Sequence, residues 1–311
     1  MGNKIKNIIN HRDFVLSLAI VSGLILGETT MFLSEISIYA LAVVMVAAIS
    51  SFTFKSWIPV KNVLVPIGWS ALLNYLFFGL LVVGISRLFF PGEENFMLWV
   101  GFVLIAAAPP GPSIIPFSSL LKGDVNFAVT GVFGLHLLAM VLAPLILLLF
   151  LGRSIIEPMA VFLILVKLIV APLLVSRFLR HPKALPFVER TRGYIIKWGF
   201  FIVITPIVGM SRDVIFAEPS ILLLTALVFF VSMFVSAFVY GKIMKYYNVP
   251  VPVIVSSTFL LVIKSSAFSA VVALEFFDDE LVALPSAVLS VFVTLFIIVY
   301  SLYAGKEYGM K

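Results

Sequence analysis

A lysine followed by two serines interrupts an apolar stretch near the C-terminal end of the sequence. Lys264 lies 11 to 13 residues from either end of the run 251–275, too far for its side chain to reach water along the membrane. A charge at that depth costs several kcal/mol unless it faces protein or a water-filled cavity. The following residues, Ser265 and Ser266, are typical of a new helix start. The pattern predicts a break in the helix with an ammonium beside it.

A second break is predicted inside the apolar run 96–120. Its interior carries three prolines and a glycine, which cannot continue a regular helix because proline lacks an amide hydrogen and clashes with preceding carbonyls. Irregular backbone at membrane depth persists only where it is buried in protein or lines a cavity. We expect a helix start near Ser113, and two helix N-termini with the ammonium of Lys264 predict an anion site. The interrupting residues are Pro109, Pro110, Gly111 and Pro112.

Three more polar residues lie inside apolar runs, each with two interpretations. Lys167 either binds the acidic group of a substrate or packs against a neighbouring helix. His136 either relays protons or bonds to a carbonyl of its own helix. Asn74 is a third candidate for the binding site.

Composition decides the class of protein. Of 311 residues, 62% are hydrophobic and only 12% charged, and the mean hydropathy is +1.19 with no cysteine. About a quarter of a soluble domain is charged, so a soluble enzyme, a nucleic-acid-binding protein, a disulfide-stapled domain and a disordered chain are excluded. The sequence predicts an all-helical polytopic membrane protein without cofactor or bound metal, in contact with membrane lipid.

Ten spans are predicted, and the basic residues give their orientation. Sixteen of the 21 Lys and Arg fall in loops on the side of the N-terminus and three on the other side, so both termini are predicted to be cytoplasmic, in the cell (inner) membrane. The predicted spans are 13–29, 36–54, 62–86, 96–120, 125–151, 156–177, 195–211, 220–243, 251–275 and 281–304.

Ten spans divide into two sets of five, residues 1–152 and 153–311. An odd number of spans per set inverts the second set, as in secondary transporters. The windows 116–144 and 267–296 each hold a small-residue helix end, a short charged connection and a long apolar helix. The sequence therefore predicts two inverted repeats.

Two windows carry a resemblance to a known family. The run 108–148, with its Pro-Gly break and LLKGD connection, and the run 263–290, IKSSAFSAVVALEFFDDELVALPSAVLS, resemble the bile acid:sodium symporter family. The resemblance implies a core domain of spans 3–5 and 8–10, in which the broken spans 4 and 9 cross, and a panel domain of spans 1, 2, 6 and 7. It also implies a small organic anion as substrate, carried by alternating access.

The positions of the family's sodium ligands differ here. The family's carboxylate falls at Leu260 and one of its amides at Lys264. An alkali ion ~4 Å from the Lys264 ammonium would be repelled by about 4 kcal/mol at an effective dielectric near 20. We therefore expect sodium-independent transport, with Lys264 in place of the ion. Of the remaining positions, only Asn74 keeps a polar side chain, and the others are Ile114, Ile115, Ala128 and Val132.

Several alternatives stay open at this stage. Transport is proton-coupled if Lys264 releases its proton during the cycle, and is uniport or exchange if it stays charged. A relocated sodium site and a non-cycling channel or receptor on the same fold are further possibilities. A metalloid carrier of the arsenite type is disfavoured because it relies on a cysteine. An intramembrane enzyme is disfavoured because no acid lies well inside a span. Substrate identity, transport direction and oligomeric state are not predicted.

Overall fold

The computed structural model describes residues 12–50, 61–111, 113–153, 155, 157–181, 183–277 and 279–308. Every regular element in these ranges is helical. A 3₁₀ turn, Gly27–Leu33, joins the first two helices. The helices are α1 (Arg12–Leu26), α2 (Ser34–Ile49), α3 (61–89), α4 (Phe96–Ala107), α5 (Ile114–Leu120), α6 (Val125–Leu151), α7 (158–178), α8 (Leu185–Met210), α9 (Arg212–Ala217), α10 (Pro219–Tyr246), α11 (Val251–Val262), α12 (Ser266–Phe276) and α13 (Glu280–Glu307).

Seven helical stretches of the described residues are long and apolar enough to cross a bilayer, which needs about 20 residues. Three shorter apolar helices, α4, α11 and α12, accompany them. The chain is thus a multi-pass membrane protein, as the composition predicts. One of the seven stretches, Ser17–Ala48, contains α1, the 3₁₀ turn and α2.

The chain reverses direction between α1 and α2. Both helices pack on α8: Gly23 of α1 lies against Val208, near the end of α8, whereas Val44 of α2 lies against Gly199, nine residues back. If α1 continued straight after Gly23, it would extend past the end of α8, and Val44 could not lie beside Gly199. The turn Gly27–Leu33 therefore separates two helices that pack on α8 in opposite directions.

Both predicted helix breaks are present. The run 96–120 divides into α4 and α5, and the run 251–275 divides into α11 and α12. The new helices begin at Ile114 and Ser266, next to the predicted starts. Proline chemistry explains the first break, since residues 109 and 110 have no amide hydrogen to donate to α4.

Several similar features lie 155 or 158 residues apart along the chain. Ala107 and Val262, the last residues of α4 and α11, lie 155 residues apart. So do Asp124 and Asp279, whose side chains cap the starts of α6 and α13. Within α3 and α10, π-helical turns begin at Leu72 and Phe230. The windows compared in the sequence, 116–144 and 267–296, are therefore about four residues out of register.

The helices pack in two groups. In one, α8 lies against α1 and α2, and α7 lies against α2. In the other, α4 packs on α6, α12 and α13, while α11 packs on α3, α6 and α10. The helices α12 and α13 also contact α8, which joins the two groups at the interrupted segments.

The close contact between α4 and α13 requires a glycine at position 101. A Cβ at Gly101 would lie 2.5 Å from the carbonyl oxygen of Val282, a backbone atom that cannot rotate away. We expect Gly101→Ala to lower the free energy of unfolding by about 1–3 kcal/mol through overpacking. Thermal unfolding in detergent measures the change. Gly84→Ala is the matched control, because a Cβ at Gly84 meets no atom within 4 Å, and equal effects of the two substitutions would contradict this packing.

Candidate functional site

The two interrupted helices meet at their breaks. Residues 109–111 and 263–265 run antiparallel and form a single β-bridge between Pro110 and Lys264. The amide of Ser265 donates to the carbonyl of Pro109 at 2.9 Å, and the amide of Gly111 donates to the carbonyl of Ile263 at 3.4 Å. Each interrupted segment therefore provides backbone hydrogen-bond partners for amide and carbonyl groups of the other segment.

The side chain of Lys264 completes this crossing. Its Nζ donates to the carbonyl oxygens of Ala106 at 2.9 Å and Ala108 at 2.8 Å. It also lies 4.1 Å from the ring centroid of Tyr75, within the range of a cation–π interaction. Lys264 is 1% exposed. A fully buried ammonium thus occupies the C-terminal end of α4, where helix carbonyls carry partial negative charge.

Lys264 has no acidic partner in the described part of the chain. The side-chain ion pairs found there are Arg212–Asp213 and Lys245–Glu307, both far along the chain from the crossing. Two carbonyls and an aromatic face therefore supply the compensation that a buried charge requires. These are oxygen and π ligands of the kind that bind cations.

Asn74 provides the matching contact at the other break. Its Nδ2 donates to the carbonyl oxygen of Leu260 at 2.7 Å, in the last turn of α11. Asn74 lies in the π-helical turn of α3 and is fully buried, and its Oδ1 has no hydrogen-bond partner. The C-terminal ends of α4 and α11 are thus each held by one polar side chain.

The start of α12 faces a small cleft beside the crossing. Ser265 caps this helix by accepting a hydrogen bond from the amide of Phe268 at 3.2 Å. Ser113 precedes α5 but makes no side-chain cap there. The cleft measures about 40 Å³, which accommodates a few waters. It is lined by Gly111, Ser113, Lys264, Ser265, Ser266, Ala267 and Ser290 together with Phe200, Ile204 and Val293.

Burial around the cleft is uneven along α8. Residues 203–211, at and beyond the end of this helix, are all buried between the α1–α2 hairpin and the other group of helices. Towards its start the helix exposes large side chains, with Tyr194 49% and Trp198 40% exposed. The α8 segment near Met210 is therefore enclosed by other helices, and the segment nearer Leu185 is less so.

His136 and Lys167 lie apart from the Lys264 contacts. The Nδ1 of His136 is 2.7 Å from the carbonyl of Val132 in its own helix, the second of the two interpretations given to it. His136 also lines a water-sized cavity with Ser265, on the side of the crossing that faces α2 and α7. Lys167 is exposed in the π-helical turn of α7 and lines neither of these cavities. Pro112 lies outside the described residues.

The predicted role of Lys264 needs one correction. We expected its ammonium to join two helix N-termini around an anion, but its hydrogen bonds go to the carbonyl end of α4. The physical reason is electrostatic, because a helix C-terminus attracts the cation that a helix N-terminus repels. The sequence also did not indicate Ser290, which reaches the cleft from α13. It did not indicate the carbonyl groups that bind Lys264 either, because every residue has a backbone carbonyl.

Comparisons with known proteins do not place the chain in a family. The chain matches no model of a known protein family and no curated protein sequence.

The two serines of the crossing allow a test of the helix start. Ser265→Ala removes the cap of α12 and is expected to lower the free energy of unfolding by about 1 kcal/mol, within a range of about 0.5–2. Ser266→Ala changes the neighbouring residue, whose hydroxyl has no such bond, and serves as the matched control. Denaturant unfolding of both variants measures the difference. A loss at Ser266 as large as that at Ser265 would argue against the cap.

Proposed function

We propose that this protein is a sodium-independent secondary carrier of a small organic anion that works by alternating access. The observation that carries the proposal is the crossing of two interrupted helices, with a buried ammonium bound to backbone carbonyls. In the family that the sequence resembles, the bile acid:sodium symporters, broken spans of this kind surround the ion and substrate sites. The remaining support comes from topology, charge and burial.

The proposed topology is ten spans in two inverted repeats, with both termini cytoplasmic. Three observations favour it: the reversal between α1 and α2, the 155-residue spacing of corresponding helix ends and the distribution of basic residues. Five spans per repeat give the second repeat the opposite orientation. The proposed core is then α3–α6 with α10–α13, and the proposed panel is α1, α2, α7 and α8.

The proposed substrate site is the serine-lined cleft at the start of α12. Hydroxyl groups of Ser265, Ser266 and Ser290 line it, and no acidic side chain does. The helix N-terminus adds partial positive charge, so a carboxylate or sulfonate is favoured over a cation. A cleft of about 40 Å³ is too small for an organic anion, and binding therefore requires the panel to move away from the core.

Lys264 is proposed to act as a cation tethered to the protein. Its ammonium donates to carbonyl oxygens, the ligands that an alkali ion would take from the backbone at such a site. Four of the other positions that the resemblance assigns to sodium ligands support this view, because they now form hydrophobic core, whereas Ile115 is only partly buried. Those fully buried or nearly buried residues are Ile114, Ala128, Val132 and Leu260.

Two modes of coupling are compatible with a tethered cation. If the Lys264 ammonium stays charged through the cycle, the protein is a uniporter or exchanger. If it releases its proton when the crossing rearranges, transport is coupled to protons. A channel is disfavoured because residues 203–211 of the proposed panel are buried against the proposed core at one end.

Binding of anions without sodium is the first test of this function. Small carboxylates and sulfonates are screened by thermal shift with the full chain in detergent, in sodium chloride and in choline chloride. A ligand at 100 times its Kd stabilises the folded state by about 2.7 kcal/mol. We expect at least one anion to raise the melting temperature equally in both salts. A shift that requires sodium would contradict the tethered-cation proposal, and stabilisation by cations alone would contradict the substrate class.

The same thermal-shift measurement is repeated on two variants in which a lysine is replaced by glutamine. Lys264→Gln removes the buried charge, and we expect it to weaken anion binding at least about tenfold, equivalent to about 1.4 kcal/mol. Lys306→Gln, an exposed lysine in the last turn of α13, is the control. Unchanged binding by Lys264→Gln would remove this residue from the mechanism.

The uneven burial along α8 predicts access from one side only. The chain has no native cysteine, so single-cysteine variants can be labelled with a membrane-impermeant maleimide without background. We expect Ser113→Cys, at the partly exposed cleft, to react from the side of the N-terminus. The buried Ser211→Cys should be protected, and Thr29→Cys, exposed in the turn after α1, should react from the opposite side only.

Addition of a substrate found in the screen should change these rates. Alternating access requires Ser211→Cys to gain reactivity, or Ser113→Cys to lose it, as the transporter cycles. Reaction of Ser113→Cys from both sides at once would indicate a pore instead of a carrier.

A further inference from the structure

A second cavity lies between α10 and α13, away from the crossing. Its volume is about 170 Å³, four times that of the serine-lined cleft. Its walls are aromatic and aliphatic, and several of the rings contact one another, with Phe234 5.3 Å from Phe296 and Phe238 5.9 Å from Tyr303 between centroids. The lining residues are Phe234, Ala237, Phe238, Phe296, Val299, Tyr300 and Tyr303.

This cavity opens on the outer surface of the bundle. Phe238 is 46% and Val299 48% exposed, although both line the cavity. They lie on spans 8 and 10 of the proposed topology, so this surface faces lipid and not the substrate path. The side chains that line the cavity are aromatic and aliphatic, so burial of apolar surface favours an occupant that places an apolar chain there.

A lysine stands at one end of the cavity. Lys242 follows Phe238 by one helical turn, and its Nζ lies 4.6 Å from the centroid of that ring. Lys242 is exposed and forms no ion pair within 4.0 Å with a carboxylate of the described residues. The neighbouring Lys245 differs, because Glu307 binds it at 2.6 Å. The exposed Lys242 ammonium interacts electrostatically with the nearby Glu307 carboxylate but forms no direct ion pair with it, and it lies beside the mouth of this cavity, an apolar groove.

We propose that this groove binds one anionic phospholipid, with an acyl chain in the cavity and its phosphate on Lys242. The apolar cavity suits the acyl chain of such a lipid, and the nearby lysine suits its phosphate. Four residues of helix separate Phe238 from Lys242, about 6 Å along the axis, so the charge lies where the headgroup of a lipid with its chain in the cavity would be. A zwitterionic lipid fills the cavity equally well but lacks net charge for the lysine.

The test compares lipid headgroups on the purified full chain. Phosphatidylglycerol or phosphatidylcholine with the same acyl chains is added in detergent, and thermal unfolding is followed. We expect phosphatidylglycerol to raise the melting temperature by about 3 °C more than phosphatidylcholine. Lys242→Gln should abolish this difference. Lys197→Gln is the matched control, because Lys197 also lies over an aromatic ring, Tyr194 at 4.7 Å, but on α8, away from the groove.

A variant of the groove separates chain binding from headgroup binding. Val299→Phe narrows the mouth at an exposed position, where it does not disturb the core, and should remove the stabilisation by either lipid. Equal shifts from both lipids in the wild-type protein would overturn the proposal. So would an equal loss in Lys242→Gln and Lys197→Gln, or a full shift produced by oleate alone, which would indicate a fatty-acid site.

Discussion

Two helices end inside the membrane, and their free carbonyl groups must find hydrogen-bond partners there. Lipid chains offer no hydrogen bonds at that depth, and each unsatisfied group costs several kcal/mol. In this protein, the broken segments and two nearby side chains provide those partners. The broken segments 109–111 and 263–265 bond to each other, Lys264 bonds to the end of α4, and Asn74 bonds to the end of α11. The packing of α3, α4, α11 and α12 follows from these few bonds.

This requirement links stability to the proposed transport cycle. A buried ammonium is costly by itself, and here the carbonyls that the break leaves free compensate it. The charge and the free carbonyls of the break therefore stabilise each other. If the core and panel move as rigid groups, the crossing is the part that must stay intact while the cleft beside it widens. A tethered cation suits that role, since it cannot diffuse away when the cleft opens.

Sequence patterns predicted the positions of the breaks because proline chemistry is local. They predicted the cap at Ser265 for the same reason, since a cap bonds to an amide only three residues on. The hydrogen-bond partners of the Lys264 side chain were not predicted. A sequence indicates that a charge is buried, but the acceptors it meets, the carbonyls of Ala106 and Ala108, are backbone atoms 156 and 158 residues away, and every residue type carries such atoms.

By itself, the sequence determined the multi-pass helical class and the two breaks, because hydropathy and proline chemistry are properties of short segments. Only the tertiary structure decided which helix end the Lys264 ammonium caps, that His136 bonds within its own helix, and that Lys242 stands beside an apolar groove. Those outcomes depend on which distant segments come into contact, and contacts between helices are set by the shapes of whole packed surfaces.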